Sequence, residues 1–350
     1  KKAVVAVLVV MLAATALAGC NSTPTIAKIG LGHLTSIAKS ADLKVAADGT
    51  KTGPVAQIDT VIAAVGFDKD GKVLKVAIDT SQSKITFGED LVATTDLTAK
   101  GKTKVELGDA YGMLKASTIK KEWFQQATEL EKWMVGKTVD QIKAMKTKKR
   151  DDAHPNVPDV AELTSLVTIT VQDYIAAVEE ASKNAVEVGK GAVTLGVGHV
   201  VSLASTKSYS WVDNKETLPT AQVDFTISAA AFDKDGKVVK VLIDTAQTKV
   251  AYDKDGKVTS DKTAAPKTKK ELGDAYGMVK ASGIKKEWFQ QIAELEKWMV
   301  GKTSAEISGM KTKTSGTHAN VPDVAELTSL VTMTVSDYLA ATVEAASKAK

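Results

Sequence analysis

The chain has 350 residues, 46 basic against 42 acidic side chains, a formal net charge of +4 and a single cysteine. Nearly balanced charge excludes the clustered basic surface of a nucleic-acid-binding protein. One cysteine excludes an intramolecular disulfide and a cysteine metal cluster.

Lys1 and Lys2 precede an uncharged apolar stretch, 3–17, which runs into Ala18, Gly19 and Cys20. A short basic start, a brief apolar core and small residues before a cut describe a secretory signal peptide. The stretch is too short and wrongly flanked for a membrane-spanning helix. Leu17 to Cys20 resembles the bacterial lipobox, whose cysteine is diacylated and becomes the mature N-terminus. The expectation is a leader at 1–19, an anchor linker at 20–28, and attachment through Cys20 to lipid at the outer face of the bacterial cell membrane. An ordinary signal peptide that happens to end near a cysteine is the alternative.

Beyond the leader the chain is two copies of one unit. Asp59, Asp79 and Trp123 recur as Asp224, Asp244 and Trp288, each 165 residues on. Solenoid repeats run at roughly 20–50 residues, so a period this long means tandem domains. They are placed at 29–188 and 195–350, with the join around Gly189 and Gly191.

Each copy opens with β signals. Two β-branched runs, 57–67 and 72–79, flank Asp68, Asp70 and Gly71, and the pattern returns around Asp233, Asp235 and Gly236. An Asp-Gly turn between such runs predicts a hairpin. A calcium loop would need further oxygen ligands and a glutamate at its twelfth position. Residues 87–88 and 252–258 predict another short strand and turn.

A helical half follows. Residues 115–138 match 280–303 at 21 of 24 positions. Trp123, Ala127, Leu130 and Met134 fall on one helical face with charged residues opposite, and Gly136 and Gly301 supply the C-terminal break. Core packing is the plain role of this face; a cofactor-facing Trp123 and Trp288 is the alternative. Thr138 with Gln141, and Thr303 with Glu306, predict capping boxes opening a second short helix. The last element begins in a β-branched run, 163–171. Thr170 and Thr334 then predict N-caps for helices over 174–182 and 338–347. The predicted fold class is α+β: two similar domains, each an antiparallel sheet with about three helices packed on it.

Catalytic machinery is thin. His33, His154, His199 and His318 form two equivalent pairs, and His33 and His199 each follow a Gly-x-Gly, too little for a dinucleotide fingerprint. His154 and His318 fall in polar loops, where exposure is the default. No zinc-protease, nucleophile-elbow or phosphate-loop motif is present, so no catalytic and no metal-ligating residue is assigned.

One segment stands out. Thirteen residues, 156–168, recur without change at 320–332, while 34–57 and 200–222 have drifted apart. Recent duplication with a structural threonine would explain an identical segment, yet the copies differ elsewhere. Within it, residues 162–168 (ELTSLVT) resemble the attachment motif of the FMN-binding domain family, Asp-Gly-x-Ser-Gly-Ala-Thr. Ser165 and Thr168 match in type and spacing, as do Ser329 and Thr332. Glu162 stands for the aspartate, and Leu163, Leu166 and Val167 replace Gly, Gly and Ala. Blocks 106–113, 121–124 and 133–138 further resemble the paired-domain flavin lipoproteins of Gram-positive extracellular electron transfer, the pheromone lipoprotein type, over nearly the whole mature chain.

That resemblance implies FMN joined to Thr168 and to Thr332 by phosphoester bonds, near helix starts whose dipole favours a phosphate. It implies a magnesium-dependent flavin transferase as modifying partner, a membrane dehydrogenase and quinone as electron source, and extracellular acceptors. The chain would then be an electron carrier and not an enzyme in its own right, beyond acceptor reduction through the flavin. The competing class is a cofactor-free solute-binding or adhesion lipoprotein, using a cleft between helical and β halves or Tyr209 and Trp211.

Overall fold

The structure, a computed structural model, describes residues 25–350; Cys20 and the leader lie outside them. The first copy builds an antiparallel sheet from β1 (Lys28–Ser36), β2 (Val55–Phe67) and β3 (Val73–Thr86), in the order β3-β2-β1. A two-residue strand, Val186–Glu187, adds to the free edge of β1. Helices α1 (Trp123–Met134), α2 (Val139–Lys143) and α3 (Gln172–Lys183) follow. The second copy repeats the plan with β4 (Thr194–Ser202), β5 (Thr220–Phe232) and β6 (Val238–Ala251), then α4 (Trp288–Met299), α5 (Ser304–Ser308) and α6 (Ser336–Ser347). Its sheet order is β6-β5-β4. The fold is α+β with two repeated halves, as the sequence predicts.

The hairpin turns are carried by local chemistry. Asp68 Oδ1 accepts the backbone N–H of Asp70 and of Lys72, both at 2.9 Å, and Gly71 takes φ +76°, which a side chain would strain. Asp233 does the same at the second turn. One carboxylate oxygen of each turn is thus spent on backbone donors, the Asx-turn chemistry of a hairpin.

The helix α1 buries the predicted stripe of Trp123, Ala127, Leu130 and Met134. Its start is fixed by Glu122, whose carboxylate accepts the N–H groups of Met113 and Leu114 while Gln125 Oε1 accepts Glu122 N. Capping boxes at Thr138 and Thr303 start α2 and α5. One expectation fails. Thr170 and Thr334 are not caps: α3 and α6 begin after Val171 and Val335, and neither start has a side-chain cap. The run 163–171 is not a strand either. It folds into successive turns, with Leu163 N and Thr164 N donating to Val160 O, and Leu166 N and Val167 N to Leu163 O. Leu163 and Val167 are buried by these turns, so their apolar character serves the core and not a sheet ladder.

Each sheet is covered on both faces. The outer face of β2 and β3, with Val61, Val65, Val76 and Ile78, packs on α1 and α3. The inner face carries Ile29, Ile58, Ile62 and Ile85, which share one core with Leu195, Val197, Ile227 and Leu242 of the other copy. Strand β1 lies against β5 and β6, and β4 lies against β2 and β3. The result is four layers, helix–sheet–sheet–helix, related by a pseudo-twofold.

The predicted Gly-x-Gly-His segments are strand β1 and strand β4. A Cβ on Gly30 would fall 1.7 Å from Ala181 O, and one on Gly32 1.9 Å from Ala177 O. The glycines therefore let α3 rest on the β1 backbone. Gly196 and Gly198 meet Ala345 O and Ala341 O of α6 in the same way. His33 and His199 then point inward, towards the opposite copy.

Candidate functional site

The repeated peptide runs along the helical side of each copy and delivers Thr168 and Thr332 to the first turn of α1 and of α4. Thr168 N donates to Gln126 Oε1 at 2.8 Å, and its hydroxyl lies 3.3 Å from the same oxygen. Gln126 is fully buried, and its amide nitrogen donates to Ser117 Oγ and Lys121 O, so its orientation is fixed. The second copy reproduces this. Thr332 N donates to Gln291 Oε1 at 2.9 Å, and Gln291 Nε2 donates to Ser282 Oγ and Lys286 O. Both threonines are half-buried. Ser165 and Ser329 are exposed on the turn ahead of them. The structure thus places each Ser and Thr of the predicted pair on one short turn segment.

A phosphate fits the surroundings of Thr168. The first turn of α3 starts three residues on, and its N-terminal N–H groups have no side-chain cap. The buried hydroxyl of Thr170 has no hydrogen-bond partner among the described residues. Arg150 Nη1 donates to Thr168 O at 2.9 Å, bringing a guanidinium to the same spot. Copy two lacks that arginine: residues 312–315 and His318–Pro322 form a small hairpin there, and Thr334 Oγ1 donates to Ala319 O instead.

Trp123 and Gln126 share one face of α1, and next to Trp123 sits a buried cation. Lys104 Nζ lies 4.9 Å from the centre of the Tyr111 ring and 5.3 Å from that of Trp123. Burial pushes this ammonium down to about 8, with Asp59 and Asp79 opposing. Lys269 repeats the arrangement over Tyr276 and Trp288, also at about 8. Trp123 Nε1 donates to Tyr174 OH at 2.8 Å, and Trp288 Nε1 to Tyr338 OH at 2.9 Å. The indoles are therefore buried, hydrogen-bonded core residues.

Gln126, Gln291, Lys104 and Lys269 were missed in the sequence. All four are the same in both copies, and that is the signal that could have found them. His154 lies in a loop with Asp151 on its Nδ1 at 2.7 Å, and His318 is exposed on its strand; neither approaches a threonine hydroxyl by any hydrogen bond among the described residues.

Chlorophenol reductase of Desulfitobacterium hafniense is 37% identical over 100 residues, 24% of this chain and 29% of that protein. The similarity is distant and partial, and the chain spans well under two thirds of that relative's length. No family model matches the chain. No solved structure matches it.

Proposed function

We propose that this chain is a membrane-anchored extracellular flavoprotein that carries FMN covalently on Thr168 and on Thr332. It passes electrons from a membrane dehydrogenase and quinone to extracellular acceptors. The observation that carries the reading is the duplicated, half-buried threonine hydroxyl, each held against a buried glutamine oxygen at the foot of an uncapped helix. The partial similarity to a protein named as a reductase supports a redox role.

In this reading the cofactor supplies the electron-transfer chemistry. The chain supplies position and charge. Gln126 and Gln291 hold the threonine backbone, so Oγ1 presents in one direction. The start of α3, with Arg150 in the first copy, offsets phosphate charge. Lys104 and Lys269, whose ammonium groups burial pushes down to about 8, bring a cation to the aromatic clusters of Trp123 and Trp288. Cys20 anchors the protein through two acyl chains, which hold a membrane stably where one is marginal.

Intact mass after co-expression with a flavin transferase tests the reading. Two attached flavins are expected, one after Thr168→Val or Thr332→Val, and none after both. Flavin mapped to another residue would move the site while the carrier role stands. A transferase-competent host that leaves the mass unchanged would favour the solute-binding class. That class has one observation of its own: a cavity of about 320 Å³, lined by Leu31, His33, Glu180, Ile227 and Leu242 among others, between the two copies and not between helical and β halves. Cys20→Ala is expected to leave the precursor uncleaved or off the membrane.

A further inference from the structure

Where the two sheets meet, the pseudo-twofold builds the same cluster twice with the copies exchanged. His33 of β1 faces Glu180 of its own α3 and Glu271 of the other copy. His199 of β4 faces Glu344 of its own α6 and Glu106 of the other copy. In both, a capping box fixes the visiting glutamate: Thr268 N donates to Glu271 Oε2 at 2.7 Å and Thr103 N to Glu106 Oε2 at 2.9 Å. Both histidine side chains are more than nine-tenths buried.

The clusters are not equivalent. At His199, Nε2 is hydrogen-bonded, 2.9 Å from Glu106 Oε2, and Nδ1 is the buried nitrogen without a hydrogen-bond partner among the described residues, 3.7 Å from Glu344 Oε2. At His33 the roles of the two nitrogens are exchanged. Nδ1 lies 3.3 Å from Glu180 Oε1, an acceptor that holds the proton on that nitrogen and leaves a lone pair on Nε2. Nε2 is buried without a hydrogen-bond partner among the described residues and stands 3.7 Å from Glu271 Oε2. In the neutral ring, two acceptors then face each other and repel unless a cation, a metal ion or a second ring proton, lies between them. The gap is too long for a hydrogen bond. It matches the separation of two ligands on one ion with bonds of about 2.0–2.2 Å.

Charge makes the same distinction. Each cluster has one further lysine that is already paired: Lys270 Nζ with Glu296 at 2.7 Å near His33, and Lys350 Nζ with Glu131 near His199. Asp244 and Asp79 are equivalent neighbours, each accepting backbone donors. The difference lies at the helix C-caps. Lys348, the C-cap of α6, puts a buried ammonium against Glu344. Asn184, the C-cap of α3, is neutral and lines the cavity that opens beside His33.

We infer that His33 Nε2 and Glu271, with Glu180 orienting the ring and water from the cavity completing the shell, bind one divalent transition-metal ion that clamps the two copies together. Lys348 occupies the corresponding place in the second cluster with a built-in cation. An imidazole nitrogen with carboxylate oxygens suits Zn2+ or Co2+ better than Ca2+ or Mg2+. The inference does not depend on flavin.

The test is metal binding by the full mature chain, with Zn2+ counted after dialysis and Co2+ followed by its visible absorption. One ion per chain is expected. It should be lost, or bound at least tenfold more weakly, after Glu271→Gln, and unchanged after Glu106→Gln. Asn184→Lys should abolish it by installing the ammonium that the other copy already accommodates, so a folding failure is not expected there. Lys348→Asn should raise the count to two. Binding that survives both Glu271→Gln and Asn184→Lys would overturn the inference, as would a wild-type count no higher than that of Glu271→Gln, which would leave a proton alone bridging His33 and Glu271.

Discussion

The outer and inner surfaces of the two sheets differ in how closely the two copies agree. On the outer side, the segment bearing Thr168 and Thr332, with its supporting Gln126 and Gln291, is the same in both copies down to hydrogen bonds that differ by 0.2 Å or less. On the inner side the clusters keep their histidine and two glutamates but differ in how they are neutralised, by Lys348 in one and not in the other. The outer sites each face solvent and serve alone. The inner ones face each other across a shared core, so a change in one copy is met by the opposite copy and the pair can diverge.

The largest expected effect breaks the scaffold common to both surfaces. Gly32→Val or Gly198→Val drives a side chain into the backbone of α3 or α6, within 2.0 Å of Ala177 O or Ala341 O. Helix and strand cannot both stay, and a loss of at least about 3 kcal/mol is expected by denaturant unfolding. A loss below about 1 kcal/mol would mean that the helix yields freely, and the comparison would lose its common frame.

Removing the glutamine sharpens the outer half. Gln126→Leu and Gln291→Leu each leave a partly buried threonine N–H unpaired, which costs about 1–3 kcal/mol. The two losses should agree within about 0.5 kcal/mol, with flavin attachment slowed at the matching threonine only. A strong effect in one copy alone would show that the outer sites are not equivalent.

Acid should separate the inner clusters. The His199 hydrogen bond, against some burial, holds the Glu106 carboxyl down to about 2 from its ordinary 4.5. A depressed carboxylate contributes stability that is present above the unfolded value and lost as pH falls through the folded one. The contribution therefore fades between pH 4.5 and 2. Glu106→Gln should flatten the unfolding curve in that window. Glu106 is partly exposed, so the effect is modest. A curve of unchanged slope would detach Glu106 from His199.

The smallest effect tests a departure from outer equivalence. Arg150→Ala removes a donor from the Thr168 carbonyl and has no counterpart in copy two. Attachment at Thr168 should slow several-fold, with Thr332 unaffected, read by peptide mapping of partly loaded protein. Equal slowing at both would assign Arg150 a role outside the first site.

Much of each unit was legible because it is local. The Asp68–Gly71 turn, the Trp123–Met134 stripe and the boxes at Thr138 and Thr303 depend on residues within a few positions of one another. Strand β1 was not predicted, and only the approach of α3 explains its Gly30 and Gly32. Thr170 looked like a cap because its spacing is right. The Val171 N–H bonded to Asn156 O sets the start of α3 instead. One signal of the double-sheet interior was present: residues 61–67 run apolar without a charged or polar side chain, as expected for a strand covered on both faces.

The sequence by itself determined that there are two units, which class they belong to, and which peptide they hold in common, because periodicity and repetition are properties of the chain. It could not determine which face of each sheet meets the other copy, since a two-residue period marks alternate faces without naming their partners. That choice brought His33 to Glu271 and His199 to Glu106, residues more than ninety positions apart. Only tertiary packing desolvates such pairs and makes an unpaired ring nitrogen or a single lysine decisive, because charge is weighed by its surroundings and not by its place in the chain.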